Sequence, residues 1–194
     1  MGKNSKQRKV KSKVDCKVVL AKYPVETYDE QRGKCGNNAA RPYRGCQSHH
    51  VIQNSHFQYP RGTTLTTICP NYKEGDAPCI PLYDGTNVKT AHGKASKMQK
   101  ADGKRYRESY REKGKSPTYQ DAREDAKKQL MAKPKPGLTQ KEAECILIEV
   151  DKKFEKMCPG ITKKSNKSKL RPPGQRGKGL PIPSTLRGTG GRTR

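Results

Sequence analysis

Three of the chain's four histidines fall in one short stretch, GCQSHHVIQNSHF (45–57), and the fourth, His92, follows some way downstream. Neutral imidazole ligates borderline divalent metals and also takes up a proton near neutrality. Adjacent side chains on a strand point to opposite faces, so His49 and His50 share one site only if the strand twists or bulges at its end. His92, on a helix start, closes such a site from the opposite wall. The resulting recipe has His49 and His92 holding a metal while His50 activates water. It suits phosphodiester hydrolysis, where water must lose a proton and a cation neutralises charge on the phosphate and the leaving oxygen. Four supporting positions follow. Ser48 precedes the pair. His56 is expected to be structural or a phosphate contact. Asn87 is a candidate to orient His50, against plain turn chemistry after Asp84-Gly85. Ser96, four after His92, lies on the same helix face.

Composition names a partner. The 194 residues carry 43 Lys plus Arg against 18 Asp plus Glu, a net charge of +25. Polyanions attract such a chain by counterion release, and nucleic acid fits better than an anionic membrane or an acidic protein. Residues 1–13 hold six cations and 161–194 hold ten, with no acid in either, which leaves +9 for residues 14–160. Hydrophobic residues are only 29% of the chain, so a compact middle with disordered basic ends is expected.

The seven cysteines form no CxxC pair, which makes a zinc-ribbon reading weak. Loop closures Cys35–Cys46 or Cys69–Cys79 are candidates, with buried free thiols as the alternative. No apolar run approaches the roughly 20 residues of a membrane span. No apolar segment follows MGKNSKQRKVKSK, so a Sec-type signal peptide is not expected.

The elements that must position the imidazoles read as follows. CKVVLAKY (16–23) is β-branched and suggests a strand. DEQRGKCGNNAARPYRG (29–45) reads as loop. CQSHHVIQ (46–53) is a short strand. YPRGTTLTTICP (59–70) has strand spacing, and CIPLYDGTN (79–87) reads as a strand, placed at a sheet edge by Pro81. Thr90 caps a helix carrying His92, with Ala91, Ala95 and Met98 at helical spacing. Helices over 116–132 and 138–160 follow, joined by KPKPG (133–137). Thr139 and Glu142 have capping-box spacing. Ala143, Leu147, Val150, Phe154 and Met157 form an apolar stripe.

SHHVIQNSHF, followed after a β-rich interval by TAHGKASKMQ, resembles the SHH-signature toxin nucleases of the HNH/endonuclease VII superfamily over about residues 46–100. Ser48-His49-His50 matches the signature triplet. The resemblance implies a ββα-metal site with one divalent ion (Mg²⁺, Zn²⁺ or another transition metal), His49 and His92 as ligands, His50 as general base, and DNA cleavage. Colicin-type members carry a second helix histidine four after the first; Ser96 stands there in this chain, so metal binding should be weak.

The expectation is therefore an α+β protein: a basic arm (1–14), a nuclease domain (15–160) with its ββα-metal core at about 46–100 and a helical hairpin at about 116–158, and a disordered tail (161–194). It would be a low-specificity, metal-dependent DNA endonuclease and a bacterial effector. It would be delivered without a Sec-type signal to a target-cell cytoplasm, or be cytoplasmic otherwise, and be neutralised by an acidic immunity protein. Rival expectations are a non-catalytic basic nucleic-acid binder and a metal-free RNA-cleaving toxin.

Overall fold

The computed structural model describes residues 14–36, 38–58, 68–83 and 90–173. Among them the chain is mixed α+β, with five α-helices and one small antiparallel sheet. The sheet runs β1 (Glu26–Thr27), β3 (Pro78–Tyr83), β2 (Cys46–His50). β2 pairs with β3 in unbroken register from Cys46 opposite Tyr83 to His50 opposite Cys79. β3 is thus central, not the edge strand that Pro81 suggests. β1 reaches only Pro78 and Cys79, so Pro81 still sits where the strand has a neighbour on one side alone. A residue without an N–H is tolerated there.

Two segments differ from the sequence reading. Residues 16–23 expected as a strand form helix α1 (Cys16–Lys22), capped by the Asp15 side chain accepting from the Lys17 N–H. The β-branched residues disfavour helix only weakly. Packing against α5 and a Cys16–Cys145 disulfide outweigh them. The expected loop at 29–45 begins with helix α2 (Tyr28–Lys34), whose Thr27 and Glu30 form a reciprocal capping box. Of the expected strand at 59–70, residues 59–67 lie outside the described residues, and 68–70 are turn and coil.

The three later helices match expectation and owe their starts to caps. Thr90 caps α3 (Ala91–Lys113), accepting from the Gly93 N–H, and Gly114 ends it in the left-handed conformation (φ 61°) that glycine adopts without steric cost. Thr118 with Asp121 opens α4 (Tyr119–Leu130), and Thr139 with Glu142 opens α5 (Gln140–Met157). α5 is the spine of the core: Ala143, Ile146, Leu147, Val150 and Phe154 are all buried. The Phe57 ring stacks between those of Tyr72 and Phe154, at centroid distances of 4.8 and 5.0 Å.

Three disulfides tie the periphery to this core: Cys16–Cys145, Cys35–Cys46 and Cys69–Cys158, with Cys79 a buried free thiol. Cys35–Cys46 is one of the two expected closures. Cys69–Cys79 is not formed; Cys69 instead meets the end of α5, a long-range partner that spacing cannot reveal.

The expectation of a disordered tail from residue 161 does not hold for residues 161–173. Ile161 and Leu170 are buried, and the Leu170 and Arg171 N–H groups donate to the main-chain oxygens of Pro117 and His56. Arg107 on α3 donates to the Pro173 carbonyl. Residues 161–173 therefore belong to the folded unit. The arm at 1–13 and residues 174–194 lie outside the described residues.

Candidate functional site

β2 and α3 position the histidines. His49 is buried, 4% exposed, on the sheet face covered by α3. There its ring meets that of His92, with centroids 5.5 Å apart and planes at 88°. Strand and helix thus bring together the two imidazoles assigned to the metal. His49 and the end of β2 are tied to α3 by a residue the sequence reading missed. The Gln99 side-chain amide donates to the His50 carbonyl at 3.0 Å and to His49 Nε2 at 3.3 Å. Gln99 lies seven residues after His92, two helical turns along the same face, and this spacing was the available signal. Ser96, one turn along from His92, is half-buried; Gln99 makes the contact to His49.

His50 goes elsewhere. The register shows no bulge at the strand end, so His50 faces the α2 side, where its ring stacks on Tyr28 at 4.6 Å. It does not join the His49–His92 pair. Its Nε2 is buried without a hydrogen-bond partner among the described residues. A general base there needs the Nδ1–H tautomer, with the lone pair on Nε2. Ser48 shares this face two residues earlier, and its hydroxyl is likewise buried without a partner among the described residues. Cys79 lies directly across from His50, but burial raises its thiol pKa and keeps it un-ionised.

Burial sets the charge state. It pushes His49 down to about 3, helped by the neighbouring His92 and His50, so the ring is neutral, with its Nε2 lone pair accepting from Gln99. Burial also lowers His50, against the opposing pull of the Glu74 carboxylate and main chain.

His56 is structural. It is 2% exposed, its Nδ1 meets the Arg171 carbonyl at 2.9 Å, and Tyr106 lies edge-on at 5.9 Å. Burial lowers its pKa from an ordinary 6.5 to about 4. Between those pH values the unfolded chain binds a proton that the folded chain refuses. The His56 contribution to stability is therefore complete above about pH 6.5 and declines as pH falls toward 4, by about 3 kcal/mol. Urea titrations at pH 7 and 4.5 should show that fall reduced in His56→Gln; an unchanged pH dependence would show that His56 is not its source. Asn87 lies outside the described residues.

The metal assignment can be tested against the rings. A metal–nitrogen bond of about 2.1 Å places two coordinated imidazole centroids roughly 5–5.5 Å apart, which matches the observed pair. No group of three or more His, Cys, Asp or Glu side chains gathers among the described residues. His49 and His92 would supply two ligands of an ion, with Gln99 giving up its contact to Nε2. The Gln99 amide donates into the Nε2 lone pair that an ion would use, so Gln99→Ala should raise apparent metal affinity by roughly 2- to 10-fold, read from cleavage rate against metal concentration. A fall in affinity would show that the amide orients the ring for the ion.

No protein-family model matches the chain, and neither a curated protein nor a solved structure matches it.

Proposed function

We propose that the chain is a metal-dependent endonuclease of the ββα-metal class, hydrolysing phosphodiester bonds of DNA with low sequence specificity and acting as a bacterial toxin. The observation that carries this is the convergence of His49 from β2 and His92 from α3, ring centroids 5.5 Å apart, with His50 adjacent in sequence. The bound divalent ion supplies Lewis-acid neutralisation of charge on the phosphate and the leaving 3′ oxygen. His49 and His92 hold it. His50, at the last paired position of β2, is the residue this reading assigns to accept the proton of the attacking water; its ring stacks on Tyr28 on the opposite face of the strand, so the end of β2 would have to turn to bring it to the ion. Gln99 links the two halves of the site, since one amide touches the His49 ring and the His50 carbonyl.

Selectivity should be poor, because affinity rests on charge and nothing in the chain resembles a base-reading module. Three disulfides support passage through an oxidising compartment, as expected of an exported effector. Among the described residues no helix is long and apolar enough to cross a membrane. An acidic immunity protein is the partner that complements a net charge of +25.

A second reading, a non-catalytic nucleic-acid binder, is favoured by the burial of His49 and of His50 Nε2, which leaves little room for a scissile phosphate. Supercoiled plasmid separates the two. The proposal expects nicking with Mg²⁺, Mn²⁺, Ni²⁺ or Zn²⁺ and none in EDTA. A binder retards the plasmid in a gel and leaves it intact under every condition. RNA cleavage that persists in EDTA would assign the chain to metal-free RNases.

A further inference from the structure

A groove of about 1060 Å³ opens between the end of α1, the segment before β2, and the α4–α5 connection. Four cations line it: Lys22, Arg41, Arg44 and Lys135. Among the described residues no acidic one does, and none of the ion pairs there engages any of the four. The contrast with other cations is informative. Arg105 is held by Asp102 and Asp125, and Arg123 by Glu144 and Asp151, so their charge serves the fold. The groove charge is in no such pair, and Lys22 Nζ lies over the Tyr23 ring, 5.2 Å from its centroid.

Tyr83 forms part of the wall. It is 61% exposed, unusual for a ring at the end of a central strand. A Cβ at Gly45 would stand 3.2 Å from its Cε2, so the ring lies close over main chain on one side and is open on the other. Tyr23 lines the same groove. Unpaired bases stack on such rings, while the basic walls take phosphates. The groove also borders Pro81, opposite Ser48 on β2, and Ala91, the residue before His92.

We propose that this groove captures a single strand of nucleic acid, its phosphates on Lys22, Arg41, Arg44 and Lys135 and one base stacked on Tyr83, and leads it toward the histidine site. A duplex buries its base faces in its own stack and cannot use Tyr83. The preference is therefore for unpaired or locally opened substrate. The proposal rests on the nuclease reading only for the fate of the strand, not for its capture.

Fluorescence anisotropy of the full chain in EDTA tests it, with a 12-nucleotide DNA strand, its 2′-O-methyl RNA counterpart and a 12-base-pair DNA duplex as probes. Arg41→Gln/Arg44→Gln should weaken strand binding about ten-fold or more and flatten the logarithmic salt slope by roughly 1.4, the value for two lost single-strand phosphate contacts. Lys152→Gln/Lys156→Gln, which removes equal charge from the exposed face of α5, should change it less than about two-fold. Tyr83→Ala should cost roughly 5- to 150-fold on either single strand and little on the duplex, while Tyr83→Phe retains wild-type binding. Equal losses from the two double variants, or equal losses of strand and duplex in Tyr83→Ala, would overturn the groove. Capture without cleavage when metal is restored would leave the groove standing and remove the nuclease. Plasmid nicking that the groove variants leave unchanged would do the reverse.

Discussion

His50→Ala is expected to lower metal-dependent plasmid cleavage by roughly 10²- to 10⁴-fold, the usual contribution of a positioned general base, while DNA binding stays within about two-fold because charge supplies it. The expectation follows from two features of one ring. Nε2 is buried with no partner among the described residues. Burial lowers the imidazole pKa, so the base is in its reactive form at neutral pH. The stack on Tyr28 makes a packing explanation of any loss conceivable, and His50→Gln controls for it. Glutamine keeps most of the volume and a donor but cannot take the proton. Loss in both variants with unchanged melting temperature places the effect in catalysis. Activity retained in His50→Ala would remove the base assignment, and with it the use of the signature triplet.

Reduction of the disulfides should have the largest effect on stability. Cys16–Cys145 and Cys69–Cys158 close loops with sequence separations of 129 and 89. On chain-entropy grounds each such link stabilises by about 4–5 kcal/mol. A domain of this size is stable by only about 5–15 kcal/mol, so losing either link removes a large share. Cys16→Ser/Cys145→Ser should lower Tm by roughly 10–20 °C, and full reduction should unfold the chain near physiological temperature. The consequence for function is direct. Cys35–Cys46 anchors the start of β2, the strand that carries His49 and His50, so cleavage should vanish with the fold in reductant. Calorimetry with and without reductant checks this, and an unchanged Tm would show that the links carry no stability.

Legibility from sequence followed the locality of the cause. The starts of α3, α4 and α5 lie in capping threonines at 90, 118 and 139, and hydrogen bonds to the third residue onward can be read without knowing the rest of the chain. β2 could be read from Val51, Ile52 and the residues before them, and the meeting of His49 with His92 follows once α3 covers the sheet. What failed depended on distant partners. α1 is helical because α5 and Cys145 hold it, against the local pull of Val18 and Val19. Residues 161–173 look like linker, yet they are pinned by Pro117, His56 and Arg107. Gln99 carries no signature of its own; its importance exists only because two main-chain elements place His49 Nε2 and the His50 carbonyl within reach of one amide. The direction of His50 was legible as well, since alternation along a strand sends neighbours to opposite faces, and the continuous pairing to Cys79 leaves no bulge to reverse it.

The central claim is that His49 and His92 hold one ion between strand and helix. Isothermal titration of the apo chain with Ni²⁺ or Zn²⁺ measures it most directly. A single site per chain is expected, abolished by His49→Ala and by His92→Ala alike and retained in His56→Gln, which removes a buried histidine outside the pair. If His92→Ala binds the ion as the wild type does, the two rings do not share a metal, whatever their 5.5 Å separation.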